Sequence, residues 1–177
     1  MIVIMWPVYS LFDDGNDRRF DPGDTIFRAG TKVRFVFLVR RGLTALVRSL
    51  PSGEQAILQR ASEGDIVAEA SVYATRYHCD CIALEPTVLA HMPQASFKTA
   101  LRSNVELSEA WAAHLARSVQ RARMRAEIRS LKTVAERLDA WIGEYGSIPE
   151  KGHWQTLASE LSVSREALYR ELARRRP

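Results

Sequence analysis

The stretch Thr156-Leu-Ala-Ser-Glu-Leu-Ser-Val-Ser-Arg-Glu-Ala-Leu-Tyr-Arg-Glu-Leu172 gathers the most suggestive chemistry of the chain. It reads as a helix, a tight polar turn and a second helix that begins at Ser164, a favoured N-cap residue. Arg165, Glu166 and Arg170 fall within the first two turns of that second helix. Arginine can bond bidentately to guanine O6 and N7, and glutamate can accept from cytosine N4. A helix presenting both suits base reading in a major groove. Leu157, Leu161 and Leu168 have the spacing of a small core between the two helices, and Ala158 is small enough for a close crossing. The bland alternative is a helical pair used only for protein contacts.

Charge distribution points the same way. Twelve basic and twelve acidic residues fall in 1–107, whereas thirteen basic and nine acidic residues fall in 108–177, so the net +4 belongs to the part that holds the helix pair. A basic segment favours a polyanionic partner through counterion release, although a merely solvated surface has the same composition. Hydrophobic residues make up 46% of the 177, enough for a packed core rather than a disordered chain. The only cysteines, Cys79 and Cys81, cannot build a disulfide framework or a tetrahedral metal site unaided. The apolar start Met1-Ile-Val-Ile-Met-Trp6 lacks the basic flank and length of a signal peptide, and no run is long enough to span a membrane. A soluble, cytoplasmic protein without membrane contact is expected.

The elements that must position this chemistry are punctuated by glycine. Glycines at 23, 30, 42, 53 and 64 separate short runs rich in Val, Ile, Phe and Leu: Thr25–Phe27, Val33–Val39, Leu43–Val47 and Ala56–Leu58. Two further runs, Cys79–Leu84 and Thr87–His91, flank the turn pair Glu85-Pro86. Strands at such spacing indicate an antiparallel sandwich or barrel. From Gln94 to Ile142 there is neither glycine nor proline, so long helices can run without interruption. Within that interval Ala112, Leu115, Val119, Ala122 and Ala126 follow a coiled-coil seam, which predicts a dimer helix. Leu107 and Trp111 lie off the seam and are free to pack on the β domain. A second helix from Lys132 or Thr133 should bury Val134, Leu138, Trp141 and Ile142, before a break over Gly143–Pro149.

In this order the parts resemble the CRP/FNR family of bacterial transcription regulators. The matching segments are Phe20-Asp-Pro-Gly-Asp-Thr-Ile-Phe-Arg-Ala-Gly30, Val36-Phe-Leu-Val-Arg-Arg-Gly42, Glu63-Gly-Asp-Ile-Val-Ala-Glu69 and Ser164-Arg-Glu-Ala-Leu-Tyr-Arg170. The resemblance implies an α+β fold: an antiparallel β-roll (jelly-roll) of the cyclic-nucleotide-binding type over 1–93, linking and dimerisation helices over 94–131, and a helix-turn-helix domain over 132–177. It also implies a homodimer on a near-palindromic double-stranded operator, with RNA polymerase as a further partner and no enzymatic activity. Arg165, Glu166 and Arg170 are the expected base readers, and Ser164, Tyr169, Arg174 and Arg175 the expected backbone contacts. The family's turn glycine is replaced by Ser162, and an apolar position late in the second helix is Glu171. Relatives continue into a β-hairpin wing where this sequence ends, so Arg174, Arg175 and Arg176 are expected to reach phosphates in its place.

The effector side departs further from the family. Its cyclic-nucleotide binders hold ribose and phosphate with a Gly-Glu pair and an Arg-Ser or Arg-Thr pair, which here are Ala68-Glu69 and His78-Cys79. On the long helix the adenine-facing positions are Ala122 and Arg123. Glutamate is kept but the guanidinium is lost, and neutral histidine does not replace it, so cyclic AMP binding should be weak or absent. Three readings of His78, Cys79 and Cys81 stay open: a metal or haem site, a thiol redox pair, and buried inert cysteines. No cofactor and no bound metal are expected. A cupin-type enzyme would need paired histidines on adjacent strands, which His78 lacks. An interaction module with vestigial DNA binding is the remaining rival.

Overall fold

The computed structural model describes residues 6–14, 16–49 and 55–175. The run at Met1–Met5, the turn at Gly53 and the terminal Arg176 lie outside the described residues. The chain divides into two compact units, Met1–Leu115 and Ala116–Pro177, with one long helix contributing to both.

The first unit is a β-roll of two four-stranded antiparallel sheets. One sheet holds β1 (Asn16–Phe20), β8 (Thr87–Pro93), β3 (Phe35–Arg41) and β6 (Ile66–Val67). The other holds β2 (Thr25–Phe27), β7 (Asp80–Ala83), β4 (Leu43–Ser49) and β5 (Gln55–Ser62). Pairing of Phe37 with His91 and of Leu46 with Cys81 fixes which side chains turn inward. Phe27, Phe37, Val39, Leu46, Val67, Cys79, Cys81 and Leu89 then fill the space between the sheets. The alternate residues of the first sheet, Val36, Leu38, Ile66 and Ala90, form a second core. There they meet Val8 of the short helix α1 (Trp6–Tyr9), Phe12 just after it, and Phe97 and Leu101 of α2 (Gln94–Ser103). Sheet burial on both faces explains why 35–39 reads as an unbroken apolar run.

Gly42 turns β3 into β4 at φ +95°, and a Cβ there would stand 2.5 Å from the Pro86 carbonyl oxygen. The β3–β4 and β7–β8 turns are therefore pressed together, and only glycine fits. β1 carries no apolar signal, being polar and exposed except at Phe20, and β6 is apolar but only two residues long.

The interval without glycine or proline is nonetheless interrupted. Asn104 takes an extended conformation and its Oδ1 accepts from the Leu107 N–H at 3.1 Å, which ends α2 and caps α3 (Val105–Ser130). A side-chain acceptor can break a helix where no special backbone residue is present. Leu107, Ala110 and Trp111 of α3 pack into the helix-covered core of the roll, whereas Ala112, Val119, Ala122 and Ala126 are exposed. In the second unit, α4 (Val134–Tyr145) begins at Thr133 with a reciprocal capping box to Glu136. Ile128 and Leu138 pack with Leu157, Ala158 and Leu161 of the segment containing α5 (Trp154–Glu160), and with Leu168 and Leu172 of α6 (Arg165–Arg174).

Candidate nucleic-acid interface and effector pocket

The connection between α5 and α6 closes α5 with two reverse hydrogen bonds. Val163 N–H donates to Ala158 O at 3.0 Å and Ser162 N–H to Ser159 O at 3.2 Å, a Schellman pattern. That pattern requires a left-handed residue, and Ser162 supplies it at φ +52°. The turn is kept without glycine. Two carbonyls of this turn, Leu161 O and Ser162 O, each accept from Arg137 Nη1 of α4 at 3.0 Å.

α6 starts at Ser164, whose hydroxyl accepts from the Ala167 N–H at 3.1 Å. Arg165, Glu166 and Arg170 stand exposed on it. Hydrogen bonds from the Glu166 N–H and from Ser164 hold the Glu166 carboxyl below its ordinary range, helped by Arg165 and Arg170. The helix therefore offers two guanidiniums and an ionised acceptor side by side. Tyr169 is half-buried, and the Arg165 guanidinium lies 5.1 Å from its ring centre.

Arg174 and Arg175 have intramolecular partners. Arg174 forms a fork to Glu171 with bonds of 3.0 and 2.8 Å. Arg175 bonds the same carboxylate at 2.6 Å, the Asp139 carboxylate and the Ala135 carbonyl. Hydrogen bonds from Arg174 and then Arg175 pull the Glu171 carboxyl down to about 2. Glu171, placed where the family has an apolar residue, thus anchors the end of α6 to α4 through Arg175. The guanidinium of Arg175 is committed to this brace.

In the β-roll, Ala68 adopts a left-handed conformation at φ +57° and leads into a 3-10 turn over Glu69–Tyr73. Glu69 is only 5% exposed, and Gln59 Nε2 of β5 donates to its carboxylate at 3.4 Å. His78 is exposed while Cys79 is buried, so these neighbours diverge and do not converge on one ion or haem. Cys79 and Cys81 share the inner face and the same core. Burial raises both thiols, Cys81 to about 12, so they stay protonated and weakly nucleophilic. The positive charge of Arg48, at the end of β4, partly offsets the rise at Cys79. No guanidinium comes from 78–79, but one approaches this corner from the neighbouring strand. Ala122 and Arg123 are exposed on α3 in the second unit. A cleft of about 560 Å³ lined by Arg19, Arg41, Gly42 and Glu85 lies at the opposite end of β4 and contains none of these residues.

Arg48, Gln59, Arg137 and Trp154 are absent from the sequence-derived site. For Gln59 the signal was available: it is a polar residue in register with inward-facing Leu46, which itself pairs with Cys81.

The family model of the cyclic nucleotide-binding domain matches residues 17–104. No curated protein matches the sequence. Among solved structures, FixK2 from Bradyrhizobium japonicum is 16% identical with a TM-score of 0.75, over 90% of this chain and 83% of that one. The c-di-GMP responsive global regulator CLP of Xanthomonas campestris is 16% identical with a TM-score of 0.69, over 94% and 89%. A CRP-family transcriptional regulator from Thermus thermophilus is 19% identical with a TM-score of 0.65, over 89% and 83%. Residues 17–104 are thus a cyclic nucleotide-binding domain, and the chain carries the fold of the CRP/FNR family of transcription regulators.

Proposed function

We propose that the protein is a homodimeric transcription regulator that reads double-stranded DNA with α6. The observation that carries this reading is the exposed trio Arg165, Glu166 and Arg170 on a Ser164-capped helix, set by a glycine-free Schellman turn. Of the seam Ala112, Leu115, Val119, Ala122 and Ala126 on α3, all but Leu115, which packs against the β-roll core, are exposed, and this supports a dimer. Two copies of α6 related by a dyad would then enter successive major grooves of a near-palindromic operator. RNA polymerase is the natural further partner. Ser164 and Arg174 remain on the α6 side as candidates for backbone contact, Tyr169 lies against Arg165, and Arg175 serves the brace to α4.

The effector corner consists of Ala68, Glu69, Gln59, Cys79 and Arg48. Glu69 suits a ribose hydroxyl, but His78 points outward and lacks a permanent charge. Cyclic AMP is therefore held weakly or not at all, and Arg48, whose charge acts on Cys79, is a candidate cation for an anionic effector.

Selection of bound sequences from a random duplex library tests the reading, with and without cyclic AMP, cyclic GMP and cyclic di-GMP. Recovery of a two-fold symmetric site is expected, with a dimer in sedimentation. Arg165→Ala should cost roughly 1–3 kcal/mol and relax one base position per half-site. A wild-type dimer that binds no duplex even at low salt would refute the regulator.

A further inference from the structure

We infer that Tyr169 and Trp154 are positioning residues for Arg165, holding its guanidinium in a base-reading pose before DNA arrives. This rests on the DNA-reading role of α6 and adds to it how one reader is set.

An unbroken line of contacts leads to Arg165. Trp154 Nε1 donates to the Pro149 carbonyl at 2.9 Å, which fixes the indole at the start of α5. The Tyr169 ring meets that indole edge to face, with centres 5.0 Å apart at 80°. Residues 165 and 169 are one helical turn apart and so lie on one face. There the guanidinium of Arg165 sits over the Tyr169 ring at 5.1 Å, and its Nη2 is 3.5 Å from the phenol oxygen. An exposed arginine at a helix start otherwise samples many rotamers, and ordering it on contact with a base opposes binding. The contact with the ring and the phenol oxygen engages Nη2 and leaves the other N–H groups of the guanidinium for a guanine. Trp154 packs against the core of Leu157, Leu161, Leu168 and Leu172, whereas Tyr169 is not among the residues that pack there. Tyr169 therefore acts through Arg165 rather than through a phosphate.

The test uses the full chain and the operator recovered by selection, with single-base variants of it. Tyr169→Leu should lower discrimination at the base position that Arg165→Ala relaxes by roughly 2- to 5-fold, the range of an exposed cation–π contact. Discrimination elsewhere and the slope of affinity against salt should stay unchanged. Tyr169→Phe keeps the ring and should retain wild-type discrimination, and Trp154→Leu should show a smaller loss at the same position. The double variant Arg165→Ala/Tyr169→Leu should discriminate no worse than Arg165→Ala alone. In DNA-free protein, the Arg165 side-chain resonances should carry a ring-current shift that disappears in Tyr169→Leu and persists in Tyr169→Phe. Uniform weakening of all sequences by Tyr169→Leu, with a reduced salt slope, would make Tyr169 a phosphate contact and overturn the inference. So would additive losses in the double variant, or absence of the ring-current shift. Absence of any selected site with wild-type protein would instead overturn the regulator reading, and with it the base-reading half of this one.

Discussion

Arg137 is the residue whose removal should cost the second unit most for its exposure. Its Nε donates to Leu131 O at 2.8 Å, just past the end of α3, and its Nη1 to Leu161 O and Ser162 O at 3.0 Å, just past the end of α5. Helix C-termini carry unpaired carbonyls and a partial negative charge, so one guanidinium here satisfies two helix ends at once. A hydrogen bond from a charged donor contributes about 1.5–3 kcal/mol when shielded and much less in open water. Two of the three bonds are half-buried and the third is exposed. Counting about 1–1.5 kcal/mol for each half-buried bond and little for the exposed one, Arg137→Ala should cost about 2–3 kcal/mol. Arg137→Lys should recover less than half of that, because one ammonium cannot span carbonyls on two helix ends. Urea denaturation followed by helical circular dichroism measures both values. Arg121→Ala, at an exposed position on α3, serves as the control and should stay within about 0.5 kcal/mol of wild type. An Arg137→Ala loss no larger than the control's would refute the brace.

Four further outcomes are expected. Gly42→Ala should cost about 3 kcal/mol or more, through positive φ and the 2.5 Å contact to Pro86 O, while Gly30→Ala, in open space at φ +76°, should cost about 1–2; equal losses in thermal unfolding would refute the close approach at Gly42. The Glu171 carboxyl is depressed from 4.5 to about 2, so its pairing stabilises the fold fully above pH 4.5 and fades as pH falls toward 2. Glu171→Gln should remove that part of the acid dependence in denaturation series, and an unchanged profile would count against the brace to Arg174 and Arg175. Cys79 and Cys81 should resist a thiol reagent at neutral pH in the folded protein and react in denaturant, so rapid labelling of native protein would show that they are accessible thiolates. Ser162→Gly should stabilise by about 0.5–1 kcal/mol, relief of a left-handed non-glycine less the entropy of glycine, whereas Ala68→Gly should be near neutral because it also removes a buried methyl.

Elements with strong local signals were legible in the sequence. The strands between glycines, the start of α4 at Thr133 and the small core at Leu157, Leu161 and Leu168 all carry patterns set by burial or by caps. β1 and α1 were not, because an exposed edge strand and a four-residue helix owe their form to tertiary partners rather than to periodicity. The break at Asn104 escaped because it depends on one side-chain acceptor and not on glycine or proline. At the candidate site, residue types were readable but their partners were not. Nothing in the spacing of Arg175 distinguishes a free phosphate contact from a brace to Asp139, thirty-six residues earlier. Likewise the register that brings Arg48 toward Cys79 follows from sheet pairing, which joins segments far apart in sequence.

Two departures from the family pattern meet the same physical answer. Ala68 and Ser162 stand where the resemblance expects glycine, and both are left-handed, the only such non-glycine residues among those described. A left-handed non-glycine residue costs roughly 1–2 kcal/mol, so each corner is held by surroundings that outweigh this cost. At Ser162 the surroundings are the Schellman bonds and the Arg137 guanidinium. At Ala68 they are the core that buries its methyl group and the backbone bond from Ser71 N–H to its carbonyl at 2.8 Å. One corner aims α6 and the other aims Glu69. The backbone geometry of both has been kept although the residue that makes it easy has been lost, whereas the charge at position 78 has not been kept.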